Sequence, residues 1–216
     1  MTAGGLCAAR FPYQKVKYEM REEGIRMNVY DAVMSRRSIR KFSQTPILRE
    51  DLLTLADCAR MAAYPANVQP LKFAVLDEPG QLERVFACTR WAGYLENGAP
   101  EPGSRPVAYI AILGDRTIKK GGDLQVENGA AGMTILLAAR ERGIASCWLG
   151  ALDRAELGRI LELPEELVML DLIALGYPAQ ESRAVEMRDG NVKYYLDENG
   201  TLQVPKRSLD EVLYTL

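Results

Sequence analysis

Apolar residues recur along this chain in two periods, and the alternation between them lays out the fold. Val29, Val33 and Met34 fall at helical spacing, predicting a short helix over residues 29–35 that gives way to extended chain. Proline and early acidic residues in Thr45-Pro46-Ile47-Leu48-Arg49-Glu50-Asp51 suit a helix start. Leu52, Leu55, Ala56, Ala59 and Ala63 supply that helix with one apolar face, and it should stop near Tyr64-Pro65, because a residue before proline avoids the helical region. A polar loop over residues 66–70 delivers into a buried strand at 73–76, and residues 79–91 predict a helix built on Leu82, Val85 and Phe86. Glycine and proline crowd residues 97–105, which predicts a mobile loop at a substrate mouth. The unbroken apolar run at 107–113 reads as a central strand. Residues 123–142 form the longest predicted helix, ended by Gly143; its small stretch Gly129-Ala130-Ala131-Gly132 implies that another backbone packs closely, within the chain or across a dimer seam. A short strand and turn at 145–150, a helix at 153–161 and a last core strand at 169–175 complete the pattern.

The two ends differ in character. Residues 193–204 read as a hairpin turned by Asn199-Gly200 in a type I′ turn. A terminal helix over 208–214 follows, with Ser208 and Glu211 spaced as a capping box. A tail of this length after a finished core is expected to reach across to something. Residues 1–26 fit neither period and lack the apolar core of a signal peptide. Arg21-Glu22-Glu23-Gly24 suits a translated ribosome-binding sequence ahead of a natural start at Met27. The expected division is therefore an extension at 1–26, a core at 27–180 and a C-terminal arm of the same domain at 181–216.

Composition narrows the function. Apolar residues at 48%, charged residues at 26% and a net charge of −2 describe an ordinary soluble globular domain without the basic field that nucleic acid requires. No apolar run approaches the roughly 20 residues of a membrane span, so a soluble chain is expected, and its scattered cysteines read as the reduced thiols of a cytoplasmic protein. Cys7, Cys58, Cys88 and Cys147 are dispersed and suggest neither a metal site nor a disulfide framework. There is no histidine, which removes Ser-His and Cys-His catalysis, imidazole acid–base chemistry and His-ligated metals together. If the chain is an enzyme, a bound organic cofactor is the natural source of its chemistry.

The one concentrated cluster is Arg36-Arg37-Ser38-Ile39-Arg40-Lys41-Phe42. Guanidinium forks with a hydroxyl suit a phosphate monoester; a solvated basic surface is the alternative. Asn67 and Gln69 serve equally as turn caps, Trp148 as core, and Lys206 with Arg207 as a solvated start to the terminal helix.

In order, RRSIRKF, an Asn-x-Gln-Pro loop, Cys-Trp-Leu-Gly, Leu-Gly-Tyr-Pro-Ala and a late Lys-Arg pair make the chain over residues 28–216 resemble the FMN-dependent nitroreductase family. The resemblance implies an α+β fold, a nitroreductase-like sandwich of helices about a mixed or antiparallel sheet. It also implies an intertwined homodimer with exchanged C-terminal arms and one FMN in each of two interface pockets. It places Arg36, Arg37, Ser38 and Arg40 around the FMN phosphate, ribityl chain and pyrimidine edge. Pro65, Asn67 and Gln69 fall on the loop that approaches the cofactor in part from the partner subunit, the backbone at Leu149 and Gly150 on the turn facing the flavin, and Lys206 with Arg207 at the phosphate. The implied activity is ping-pong hydride transfer from NADH or NADPH through FMN to a small acceptor such as a nitroaromatic or quinone. The absence of a separate GxGxxG dinucleotide fingerprint agrees with a shared pocket. A flavin-binding carrier or redox sensor, and a phosphate-ligand domain without flavin, are the rivals. Two departures stand out: Ala63-Tyr64-Pro65-Ala66 occupies the family's Pro-Ser-Ser position, and Leu71 stands where a tryptophan commonly follows Gln-Pro.

Overall fold

The computed structural model describes residues 27–214; the N-terminal extension at 1–26, with Arg21-Glu22-Glu23-Gly24 and Cys7, lies outside them. Four strands, β1 (Leu71–Leu76), β2 (Ala108–Asp115), β3 (Ala145–Leu149) and β4 (Leu167–Gly176), form an antiparallel sheet ordered β1-β2-β4-β3. The central pair, β2 and β4, are the long apolar runs, as burial on both faces requires.

Each face carries its own core. On one, Ile110, Ile112, Ile173 and Leu175 meet Leu52, Leu55 and Ala59 of α2 (Arg49–Arg60) and Ala131, Ile135 and Ala139 of α4 (Gln125–Glu141). On the other, Tyr109, Ala111, Cys147 and Leu172 meet Val85 of α3 (Pro79–Ala87) and Leu157 and Ile160 of α5 (Arg154–Ile160). The period of two along each strand sorts its residues between the cores. A bulge interrupts it: Ile112 pairs with Asp171 and Leu113 with Met169, so Leu170 is the extra residue.

Several boundaries differ from the sequence expectation. The α2 helix starts at Arg49 and ends at Arg60, shorter at both ends than predicted, with Glu50 and Asp51 in its first turn. The α3 helix stops at Ala87 because Thr89 leaves to bridge Leu152, and Trp91 Nε1 donates to Thr89 Oγ1 at 2.7 Å. Gly143, at φ +71°, does end α4: its N–H donates to the Arg140 carbonyl and Ile144 N–H to the Ala139 carbonyl, a Schellman close. In α4, the space left by Gly132 is filled by the Trp148 indole, 2.3 Å from where a Cβ would stand, whereas Gly129 faces open space. The small stretch thus accommodates a ring where a backbone was expected.

The tail forms a second sheet, β5-β7-β6, from β5 (Ser182–Glu186), β6 (Tyr195–Leu196) and β7 (Leu202–Lys206), with β5 and β7 parallel. Its turn is not type I′. Only Gly200 takes positive φ (+76°), and the Asp197 carboxylate accepts from Asn199 N–H and Thr201 N–H, the pattern of a longer loop closed by a left-handed glycine. The short α6 (Leu209–Val212) has the expected capping box. The 97–105 segment is anchored: Ser104 and Arg105 carbonyls accept from Phe42 N–H and Gln44 Nε2.

Candidate functional site

The arginine segment is built by two edges. It follows α1 (Val29–Ser35), whose start is capped by Asn28, and then runs beside β3: Ser38 bridges Ser146 in parallel, and Ile39 N–H donates to the Ser146 carbonyl at 3.0 Å. Beyond it, Arg40 N–H donates to Gln180 Oε1 at 3.2 Å, and Ala179 N–H and Ser43 N–H exchange bonds with Lys41 and Tyr177. Phe42 is fully buried against Gly176, where a Cβ would lie 2.7 Å from the Phe42 Cβ. The apolar members of RRSIRKF, Ile39 and Phe42, therefore pin the segment that carries the cations to the core.

Those cations gather. Burial pulls the Arg36 guanidinium below its ordinary value, against an upward pull from Cys147. Burial pushes the Cys147 thiol up, while Arg40, Arg36 and a hydrogen bond to Ser38 pull it down, which sets all three around it. Partial burial, then Arg37 and Arg36, hold the Lys206 ammonium below the ordinary lysine range. The tail thus returns Lys206 to the arginine segment of its own chain. Arg37 Nη2 donates to the Met34 carbonyl at 2.8 Å. The Arg40 guanidinium lies 4.6 Å over the Tyr194 ring, which in turn meets Tyr94 at 5.0 Å. Arg207 is not drawn in the same way: its Nη1 lies 3.7 Å from Glu211. Like charges pressed together, with no carboxylate among the influences on Arg36 or Lys206 in the described residues, fit a dianionic phosphate.

Sequence reasoning missed Arg140. Buried near the end of α4, it donates from Nε to Ser35 Oγ at 2.8 Å, bringing a further guanidinium to this corner. Its position inside an apolar helix gave no signal.

Pro65, Asn67 and Gln69 are exposed on a different corner. Ala66, Asn67 and Gln69 all take positive φ, at 50°, 53° and 54°, and Gln69 Nε2 donates to the Asn67 carbonyl. Pro70 is tied to the Asp115 end of β2. Leu71 pairs with Gly114, which pairs with Val168, while Ser38 sits at the level of Ser146 and Leu175. Seven residues of β4 at about 3.3 Å and four strand spacings of about 4.8 Å separate the two corners by roughly 30 Å. The α4 helix agrees, because Tyr64 feels Glu127 near its start and Ser35 meets Arg140 near its end, roughly 20 Å apart at about 1.5 Å per residue. One chain does not bring these residues together.

Leu149 and Gly150 lie between, about 10 and about 13 Å along the chain direction of β3 from Ser146. Leu149 is buried and Gly150 exposed, and a concavity of about 610 Å³ opens just past them, lined in part by Arg90, Leu152 and Arg154.

A model described as the nitroreductase family matches residues 33–103 and 106–177. Among curated relatives, a protein of Archaeoglobus fulgidus provisionally named an NADH dehydrogenase/NAD(P)H nitroreductase is 32% identical over 73% of this chain and 89% of its own length. An NADPH-flavin oxidoreductase of Vibrio harveyi is 24% identical over 71% of this chain and 67% of its own. The crystal structure of a nitroreductase family protein from Clostridium novyi NT superposes with a TM-score of 0.62 at 25% identity, over 70% of this chain and 86% of that one.

Proposed function

Because the chain belongs to the nitroreductase family, we propose that it is an oxidoreductase that holds FMN, takes hydride from NADH or NADPH and delivers it to a small electrophilic acceptor such as a nitroaromatic or a quinone. The observation that carries this is the convergence of Arg36 and Arg37 on Lys206: burial and these two guanidinium groups hold its ammonium below the ordinary range, and a phosphate would favour it. Names of the relatives, one an NAD(P)H nitroreductase and one an NADPH-flavin oxidoreductase, support the same chemistry. FMN supplies hydride acceptance and donation, which no side chain of a histidine-free protein provides. The residues bind and orient: Arg36, Arg37, Ser38 and Lys206 hold the phosphate, Arg40 lies along the remaining polar length, and the backbone at Leu149 and Gly150 lines the ring. Arg207 is a second-rank contact, since it already has Glu211.

The working unit is a homodimer. The roughly 30 Å between the Asn67 and Arg36 corners is closed when two copies pack antiparallel along α4, each lending its loop, with Pro65, Asn67 and Gln69, to the other's arginines. The surface is suited to this. Val29 and Tyr30 of α1 are 76% and 60% exposed, and Val126 and Met133 of α4 are exposed beside the open Gly129. Leu209, Val212 and Leu213 give the arm an exposed apolar face with which to clasp the partner. Among the described residues no helix is long and apolar enough to cross a membrane.

The test is a spectrum. Purified protein incubated with FMN and freed of excess should retain flavin absorbance and lose it within seconds of anaerobic NADH or NADPH, regaining it on addition of a quinone. Retained colour that neither nucleotide bleaches favours a carrier, and protein that stays colourless overturns the reading.

A further inference from the structure

The turn after β3 is clamped from behind by a set of side chains that the pattern of the sequence does not reveal. Asp171 stands next to the bulge on β4, and its carboxylate collects donors from three elements: Asn128 Nδ2 of α4 at 2.7 Å, Trp148 Nε1 of β3 at 2.8 Å and Arg154 Nη2 of α5 at 3.0 Å. Arg154 reaches further. The same Nη2 donates to the Gly150 carbonyl at 3.0 Å, and its Nε donates at 2.9 Å to the carbonyl of Leu170, the bulge residue that the ladder leaves over. Three acceptors reached from two nitrogens of one side chain suit a guanidinium fork and do not suit an ammonium, which presents a single point.

A peptide group is planar, so holding the Gly150 carbonyl also sets the direction of the Ala151 N–H on the other side of the same bond. The next carbonyl, that of Ala151, accepts from Arg90 N–H at 3.0 Å. Both carbonyls of the turn are thereby committed to the protein. Gly150 lacks a side chain to restrict it, and a Cβ there would stand 3.5 Å from Asp171 Oδ1. Its conformation is fixed by Arg154 and not by its own sterics.

We infer that Arg154, oriented by Asp171, is a positioning residue that fixes the Gly150 peptide and so aims the backbone of this turn at the cofactor ring. The inference rests on the proposal that the turn lines FMN. Its physical part, that Arg154 holds the turn, stands without cofactor. Arg154 touches only protein; it acts through Gly150.

The experiment compares the parent with Arg154→Met and Arg154→Lys by amide hydrogen exchange across residues 149–152 in FMN-free protein. The FMN-loaded proteins then give the midpoint potential of the bound flavin and the rate constant for its reduction by NADH or NADPH. Losing a charge-assisted bond should speed exchange in the turn by roughly tenfold or more. Misplacing the turn should slow reduction by roughly tenfold or more, with a displaced potential and an FMN dissociation constant close to the parent's. Lysine, keeping the charge without the fork, should restore only part of each. If the methionine variant does not fold, the lysine variant carries the same comparison. Parental exchange in both variants, or full restoration of potential and rate by lysine, overturns the inference. A parent that takes up no FMN defeats the functional proposal instead, and the exchange data on FMN-free protein still decide whether Arg154 holds the turn.

Discussion

The corner that carries Arg36 and the corner that carries Asn67 are both candidate parts of one site, yet they are built in opposite ways. The first is bonded to its own chain on both sides, to Ser146 and to Tyr177, Ala179 and Gln180, and is pinned by buried Ile39 and Phe42. The second is exposed and holds three non-glycine residues in the left-handed region, where an L-residue costs about 1–2 kcal/mol. Segments that satisfy themselves are complete in one chain. A strained, exposed loop has the character of a surface shaped for something else, which in the proposed dimer is a second copy.

The comparison breaks first on the arginine side. Arg36→Ala with Lys206→Ala should weaken FMN binding by about 3–6 kcal/mol, on the scale of two lost charge-assisted bonds. Titration calorimetry would read this, and Arg207→Ala alone should cost less because of Glu211. An unchanged dissociation constant in the double variant removes the phosphate from this corner.

Asn67→Ala should cost less, about 0.5–1.5 kcal/mol for a neutral hydrogen bond. Mixed dimers sharpen the point. Pairing one Asn67→Ala chain with one Arg36→Ala/Lys206→Ala chain should leave one site in two at parental affinity, because one chain's intact arginines meet the other's intact loop. If each chain holds a whole site, neither recovers.

The smallest effect is one of pH. Lys206 is held below 10.5 by burial and by Arg37 and Arg36, and a bound phosphate restores its preference for the proton. FMN binding therefore takes up protons, and affinity should fall as pH rises through the lowered Lys206 value, by at most about tenfold per pH unit. Without FMN the sign reverses. Between the lowered value and 10.5 the unfolded chain binds more protons than the folded one, so stability rises with pH across that window. Lys206→Arg should flatten both trends.

Much of this was legible in sequence. The central strands announce themselves because burial on both faces requires continuous apolar runs, and the α4 close at Gly143 follows from the backbone freedom of glycine. The cationic corner was legible as charge density. What was hidden depends on contacts between distant residues. Ser182–Glu186 is short and carries charges, and becomes a strand only because β7 lies parallel to it. The Asn199-Gly200 pair reads as a tight turn until the Asp197 carboxylate takes up two backbone amides and lengthens the loop. Asp171 sits within an apolar run, and Arg140 within an apolar helix. In both cases a polar contact lies elsewhere in the sequence, Arg154 for Asp171 and the Ser35 hydroxyl for Arg140.

The Ser38 bridge has one more consequence. With β3 at the border of its sheet, an uncovered row of amides and carbonyls beside Cys147 and Leu149 would be a template on which foreign strands could grow. The peptide that carries the cations covers that border at Ser146, so a chain that begins after Ile39 should aggregate more readily than the parent.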